Sequence, residues 1–320
     1  MQGATSVPAP QRVTLTTDAG EITFLAVSED HRYLAAASLD SHVFVWETST
    51  WKRVASISPE PPPKAAKGEH QDEYSAIHGL AFGPDNQTVA FASAGILYTC
   101  DIRSGLKLAR GKTNAEALAF TPDGTKLIAS AADGSAEIWA SRTWRRQTAT
   151  TPLHDPSGVP GAIAVSSNGT YAAISGDGGA GILDLVTLKF KMLPLPIAAP
   201  KSAHGGNQVG ISADNRLVAS SVSSFDDYNF VVWDVVANAV VSTAKTQHAI
   251  WAVAFSSDSS RLFAGQSEGR IVGWKTDTWK EVCSFETEGQ YQFAVSPNWL
   301  AAGGGDQTIT IIPLQECASN

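Results

Sequence analysis

An all-β ring of seven four-stranded antiparallel units, a seven-bladed β-propeller, is the fold the sequence predicts, and three observations predict it. The first is a turn signature, Asp or Asn two residues after Ser, Thr or Gly, that recurs seven times, at Asp30, Asp85, Asp123, Asn168, Asp214, Asp258 and Asn298. Successive copies lie 38 to 55 residues apart, the period of a four-stranded blade. The second is what flanks each turn. An apolar stretch precedes it, as in Ile22–Val27, Ala76–Phe82, Ala115–Phe120 and Ile250–Phe255, and a small, apolar strand follows it. Such short runs, rich in Val, Ile, Phe and Ala and bounded by Gly, Asp and Ser, are strands. The third is the lack of any sustained 3.6-residue apolar period, so helices should be nearly absent.

The last repeat supplies strands at Tyr291–Val295, Leu300–Gly303 and Thr308–Ile312 and then meets Pro313, with seven residues left. It lacks an outer strand, while the N-terminal end carries a surplus one, Arg12–Thr17, ahead of the first blade. Pairing Arg12–Thr17 with Thr308–Ile312 completes blade seven and removes two open sheet edges. The expected organisation is a tail over residues 1–11, one complete propeller over 12–313 and a tail over 314–320.

Toward the end of each third strand stands a recurring dipeptide: Trp46-Glu47, Cys100-Asp101, Trp139-Ala140, Leu183-Asp184, Trp233-Asp234, Trp274-Lys275 and Ile312-Pro313. Three of the following turns share Thr50-Trp51-Lys52, Thr143-Trp144-Arg145 and Thr278-Trp279-Lys280. On these residues and this period the chain resembles the WD-repeat family, with degenerate repeats, since only Trp233-Asp234 is the literal pair. The resemblance implies a rigid scaffold that contacts partners on its top face, through residues early in each innermost strand, and it implies a structural, blade-ordering role for His204 and His248.

Composition narrows the function classes. The chain of 320 residues has a formal charge of −8, and no basic cluster exceeds Arg145-Arg146, which disfavours nucleic acid as the partner. No apolar run approaches the ~18 residues of a membrane span, so no membrane is expected. Cys100, Cys283 and Cys317 are too few for a disulfide framework and form no CxxC pair, so ordinary thiols are expected. With no basic and apolar leader in MQGATSVPAPQ, the expected compartment is cytoplasmic. The same segment reads equally as the start of a processed, secreted chain, which leaves that alternative open.

Local catalytic motifs fail on context. Gly176-Asp177-Gly178-Gly179-Ala180-Gly181 has the dinucleotide-binding spacing but precedes a strand, not a helix, so it reads as a hairpin turn. Gly105 and Gly111-Lys112-Thr113 have five intervening residues where a phosphate loop needs four. Asn86-Gln87-Thr88 and Asn168-Gly169-Thr170 match glycosylation acceptors inside tight turns. His70, His78, His154, His204 and His248 cluster near connections between blades, which admits zinc; the expectation remains no metal, no cofactor and no catalytic residue.

The elaborated connections, Pro59–Tyr74, Thr150–Pro160, Leu193–Asn207 and the hairpin Ser223–Asn229, all fall on one face, as a binding surface would. Counting four back from the last apolar residue of each innermost strand gives Thr23, His78, Glu116, Gly161, Asn207, Trp251 and Tyr291 as the mouth-facing positions. Together with Phe225, Asp226, Asp227 and Tyr228 these form the candidate partner site, with Trp251 and Tyr291 as aromatic anchors. The expected function is non-catalytic binding of a protein or peptide by a monomeric domain within a complex. The rival readings are a propeller enzyme or small-ligand binder using His78, Glu116, Asn207 and His248 at the mouth, and a sensor module acting with a separate effector.

Overall fold

The computed structural model describes residues 11–58, 77–131, 133–149, 161–176, 179–195, 204–224, 227–246, 248–287 and 290–318. Their strands form seven four-stranded antiparallel sheets. The innermost strands, a, are Ile22–Val27, Ile77–Phe82, Ala115–Phe120, Ile163–Val165, His204–Ile211, Ile250–Phe255 and Gln290–Val295. Strands b, c and d follow outward in each blade, and in blade 7 the outermost strand is the N-terminal Val13–Thr16.

The apolar stretches become strands because each is buried on both faces. In blade 1, Tyr33–Ser38 is buried at every position, and alternate residues face alternate neighbours. Leu34 and Ala36 pack into the core shared with blade 7, while Tyr33, Ala35 and Ala37 pack into the core shared with blade 2. The pattern repeats round the ring, giving one hydrophobic cluster per blade boundary. The first residue of each Trp-Asp-like dipeptide is buried in every blade, whether Trp, Cys, Leu or Ile. That position therefore demands an apolar side chain rather than Trp itself.

The repeated Asp is explained by the turn it closes. The hydroxyls of Ser28, Thr121, Ser212 and Ser256 donate to Asp30, Asp123, Asp214 and Asp258 at 2.5–2.7 Å. The backbone N–H two residues beyond each Asp donates to the same carboxylate. Between them sits a residue with positive φ: His31, Gly124, Asn215 and Ser259, at 57–65°. This is a side-chain-closed turn, encoded locally. At the c–d turns Asp101, Asp184 and Asp234 each accept two successive N–H groups. Trp51, Trp144 and Trp279 occupy left-handed backbone at φ 53–55°, which costs an L-residue about 1–2 kcal/mol. Packing offsets it: Trp51 meets Trp299 edge-on at 5.2 Å, and Trp144 meets Phe120 and lies beneath the Arg110 guanidinium, 4.7 Å from the ring.

Ring closure follows the expected pairing, trimmed at its ends. Val13, Thr14, Leu15 and Thr16 pair with Ile311, Thr310, Ile309 and Thr308. Leu15 enters the core between blades 7 and 1. Beyond Pro313 the chain makes a short 3-10 helix, Leu314–Ala318, against blade 6. The glycine-rich stretch is a hairpin, with Gly176 paired to Gly179.

The cysteine expectation is corrected here. Cys283 and Cys317 form a disulfide with their Cα atoms 5.0 Å apart, and only Cys100 is a free thiol. Three cysteines make no framework, yet packing of the C-terminal helix on strand d of blade 6, Glu281–Glu286, places one pair within bonding distance. Closing a loop with a sequence separation of 34 contributes about 3–4 kcal/mol by restricting the unfolded chain.

Candidate functional site

Strand a of blades 1, 3, 6 and 7 carries one extra residue relative to strand b, between Ile22 and Phe24, Ala115 and Ala117, Ile250 and Ala252, and Gln290 and Gln292. A bulge frees its extra residue from the ladder and re-aims it. The extra residues are Thr23, Glu116, Trp251 and Tyr291. In blade 2 the bulge is Gly79, at φ +71°, where an added Cβ would lie 2.9 Å from the backbone of Ala117. A side chain cannot stand there, and His78 beside it is the residue that reaches the mouth. In blade 4 an added Cβ at Gly161 would collide with the Ser175 carbonyl, so at this position the blade offers only backbone.

These positions converge. A pocket of about 420 Å³ at the channel mouth is lined by Thr23, His78, Glu116, Gly161 and Trp251, from five different blades. Trp251 is 38% exposed, so its indole is presented at the rim rather than buried as a plug. Leu39, in the b–c turn of blade 1, is 49% exposed and lines the same pocket. Glu21, Phe24 and Gln292 also line it, with Ile22, Ile77, Ala117 and Ala162 forming the apolar part of the wall. Gln292 sits one residue beyond the counted position, and its amide oxygen accepts from Gln208 of blade 5 at 2.5 Å.

The polar centre is an inter-blade pair: His78 Nδ1 lies 2.7 Å from a Glu116 carboxylate oxygen. The hydrogen bond to Glu116 holds the imidazole above its ordinary value of 6.5, against the opposing effect of burial. His248, the other candidate imidazole, pairs instead with Glu268 at 3.3 Å and does not line the pocket. Among the described residues no three His, Cys, Asp or Glu side chains gather as a metal site.

The side chains of Asn207, Asp227, Tyr228 and Tyr291 lie outside what the structure describes, as do Phe225 and Asp226 altogether. So do the connections Pro59–Tyr74 and Thr150–Pro160, with their His70 and His154, and the His204 side chain. The backbone of blade 5 shows that its extra residues extend the sheet. Its b–c hairpin stays paired out to Ser224 and Asp227, and its four strands have eight residues each.

No described helix is long and apolar enough to cross a membrane. No curated protein matches the sequence. The model of the WD domain, G-beta repeat, matches residues 10–47, 110–140 and 240–275. Each match begins at the outer strand of one blade and ends on strand c of the next, so the sequence repeat is offset from the blade and interlocks the ring. The first match therefore takes in the closing strand itself. The chain is a seven-bladed β-propeller of four-stranded blades that carries WD repeats in three regions.

Proposed function

We propose that the chain is a non-catalytic scaffold that binds a protein or peptide at the channel mouth, as a monomeric domain of a larger complex. The observation that carries this reading is the convergence of Thr23, His78, Glu116 and Trp251 on one pocket with Trp251 exposed at its rim. A partly exposed aromatic beside a small set of polar groups is the composition of a binding hot spot. The extended hairpin of blade 5, paired out to Ser224 and Asp227, is included in the proposed surface, together with Phe225, Asp226, Asp227 and Tyr228.

The test is affinity capture from the native source with the wild-type chain, Trp251→Ala, and the control Val236→Ser, which alters an exposed turn residue on the opposite face. A partner enriched by wild type and Val236→Ser but lost from Trp251→Ala supports the reading. Equal capture by all three counts against it. The His78–Glu116 pair favours a second reading, a small-ligand or enzyme site, because a carboxylate-held imidazole can move protons. A ligand whose affinity depends on Glu116 but not on Trp251 would favour it.

A further inference from the structure

Arg12, which leads into the closing strand Val13–Thr16, grips both elements that the Cys283–Cys317 disulfide joins. Its guanidinium donates to the Glu316 carboxylate at 2.9–3.3 Å and to the Glu286 carbonyl oxygen at 3.2 Å. Glu316 neighbours Cys317 on the C-terminal helix, and Glu286 lies on the same strand as Cys283. The ion pair is solvent-exposed, and such a pair is weak unless its geometry is fixed from elsewhere. The disulfide supplies that fixing: its sulfurs sit in the core between blades 6 and 7 with Phe285, Phe293, Ile312 and Leu314.

We infer that the Cys283–Cys317 disulfide is the covalent half of the ring's clasp, holding Glu316 where Arg12 can anchor the closing strand, and that the protein folds in an oxidising compartment. Cys283 and Cys317 are 5% and 4% exposed, which shields both sulfurs from an attacking thiolate and makes the bond permanent rather than switching. Cys100 is buried in blade 2, where burial raises its thiol above the ordinary value, so it cannot reshuffle the bond. Formation is thiol–disulfide exchange with a disulfide-carrying oxidant. One cysteine thiolate attacks it to give a mixed disulfide, and the second displaces the oxidant. Two electrons and two protons leave as the oxidant's two thiols. Disulfides of this kind persist outside the reducing cytosol, so the inference selects the secreted alternative over the cytoplasmic one. It is independent of what the channel mouth binds.

Thiol counting tests the bond directly. The full chain, isolated from its native source under alkylation, is tagged with maleimide and weighed. The expected result is no tag on the native protein, one on the unfolded unreduced protein and three after unfolding and reduction. Three tags without reductant would overturn the inference. Hydrogen exchange on the Cys283→Ser/Cys317→Ser double variant tests the coupling. Amides of Val13–Thr16 and Thr308–Ile311 should exchange at least about tenfold faster than in wild type, with blades 2 to 4 unchanged. Unaltered protection of the closing strand would refute the coupling. If the variant does not fold, the same exchange measurement on wild type after partial unfolding in reductant and refolding under alkylation replaces it, with the same two outcomes.

Discussion

Blade 3 holds two glutamates in contrasting surroundings. Glu137, on strand c, is 2% exposed and accepts from Thr113, the Asn114 N–H, the Trp139 indole and Arg146. Glu116, on strand a, lines the mouth with His78 as its hydrogen-bond partner. The first carboxylate is engaged on both oxygens by the protein itself; the second belongs to a residue that lines an open pocket. The same contrast separates the two ends of the propeller. At the a–b turns four of the seven copies repeat the same Asp-closed geometry and blade 4 repeats it with Asn168, and the polar groups are consumed by the fold. At the mouth the contributing blades supply different residues: Thr23, His78, Glu116, Gly161, Trp251 and Gln292. Chemistry that repeats holds this protein together, and chemistry that varies between copies is left for a partner.

Substitutions that separate these roles should fall in a definite order. Glu137→Ala should cost most, about 2–4 kcal/mol, because it leaves the buried Thr113 hydroxyl and Trp139 indole N–H unpaired; denaturant unfolding measures it. Asp123→Ala should cost about 1–2 kcal/mol through loss of its turn bonds. A loss at Glu137 no larger than at Asp123 would break the contrast between a buried network and a surface turn.

Two pH effects of opposite sign should follow. Hydrogen bonds from Thr121 and Ser256, with burial opposing, hold Asp123 and Asp258 below the ordinary 3.8. Their contribution is present above that value and is lost as pH falls through the lowered folded values. His78 is raised, so its contribution is complete below 6.5 and fades as pH rises through the higher folded value. The stability difference between wild type and His78→Gln should therefore shrink as pH rises from 6.5 through the raised folded value. A difference that grows over that range would contradict the pair. Trp251→Ala should have the smallest effect on stability, under about 1 kcal/mol, as its ring is partly exposed.

The turns explain why so much of the fold was legible in the sequence. Asp30, Asp123 or Asp258 closes its turn with groups two residues away, so the information is local and recurs with the blade. The mouth positions were reachable by counting because in blades 1, 3, 6 and 7 the bulge sits four residues before the strand end. Counting could not show that Gly79 carries the blade 2 bulge, or that Gln292 lines the pocket beside Tyr291. The His78–Glu116 and Gln208–Gln292 pairs join different blades, and nothing in one repeat announces its partner in another. The disulfide was hidden for the same reason: Cys317 meets Cys283 because the C-terminal helix docks on blade 6, a consequence of ring closure that spacing alone does not encode.

The central claim, that the varied residues at the mouth bind while the repeated ones support, is tested most directly by comparing Trp251→Ala with Asp123→Ala in paired capture and thermal-unfolding measurements. The account predicts that Trp251→Ala loses the partner at nearly unchanged Tm, whereas Asp123→Ala lowers Tm and keeps the partner. Retention of the partner by folded Trp251→Ala, or its loss from folded Asp123→Ala, would contradict it.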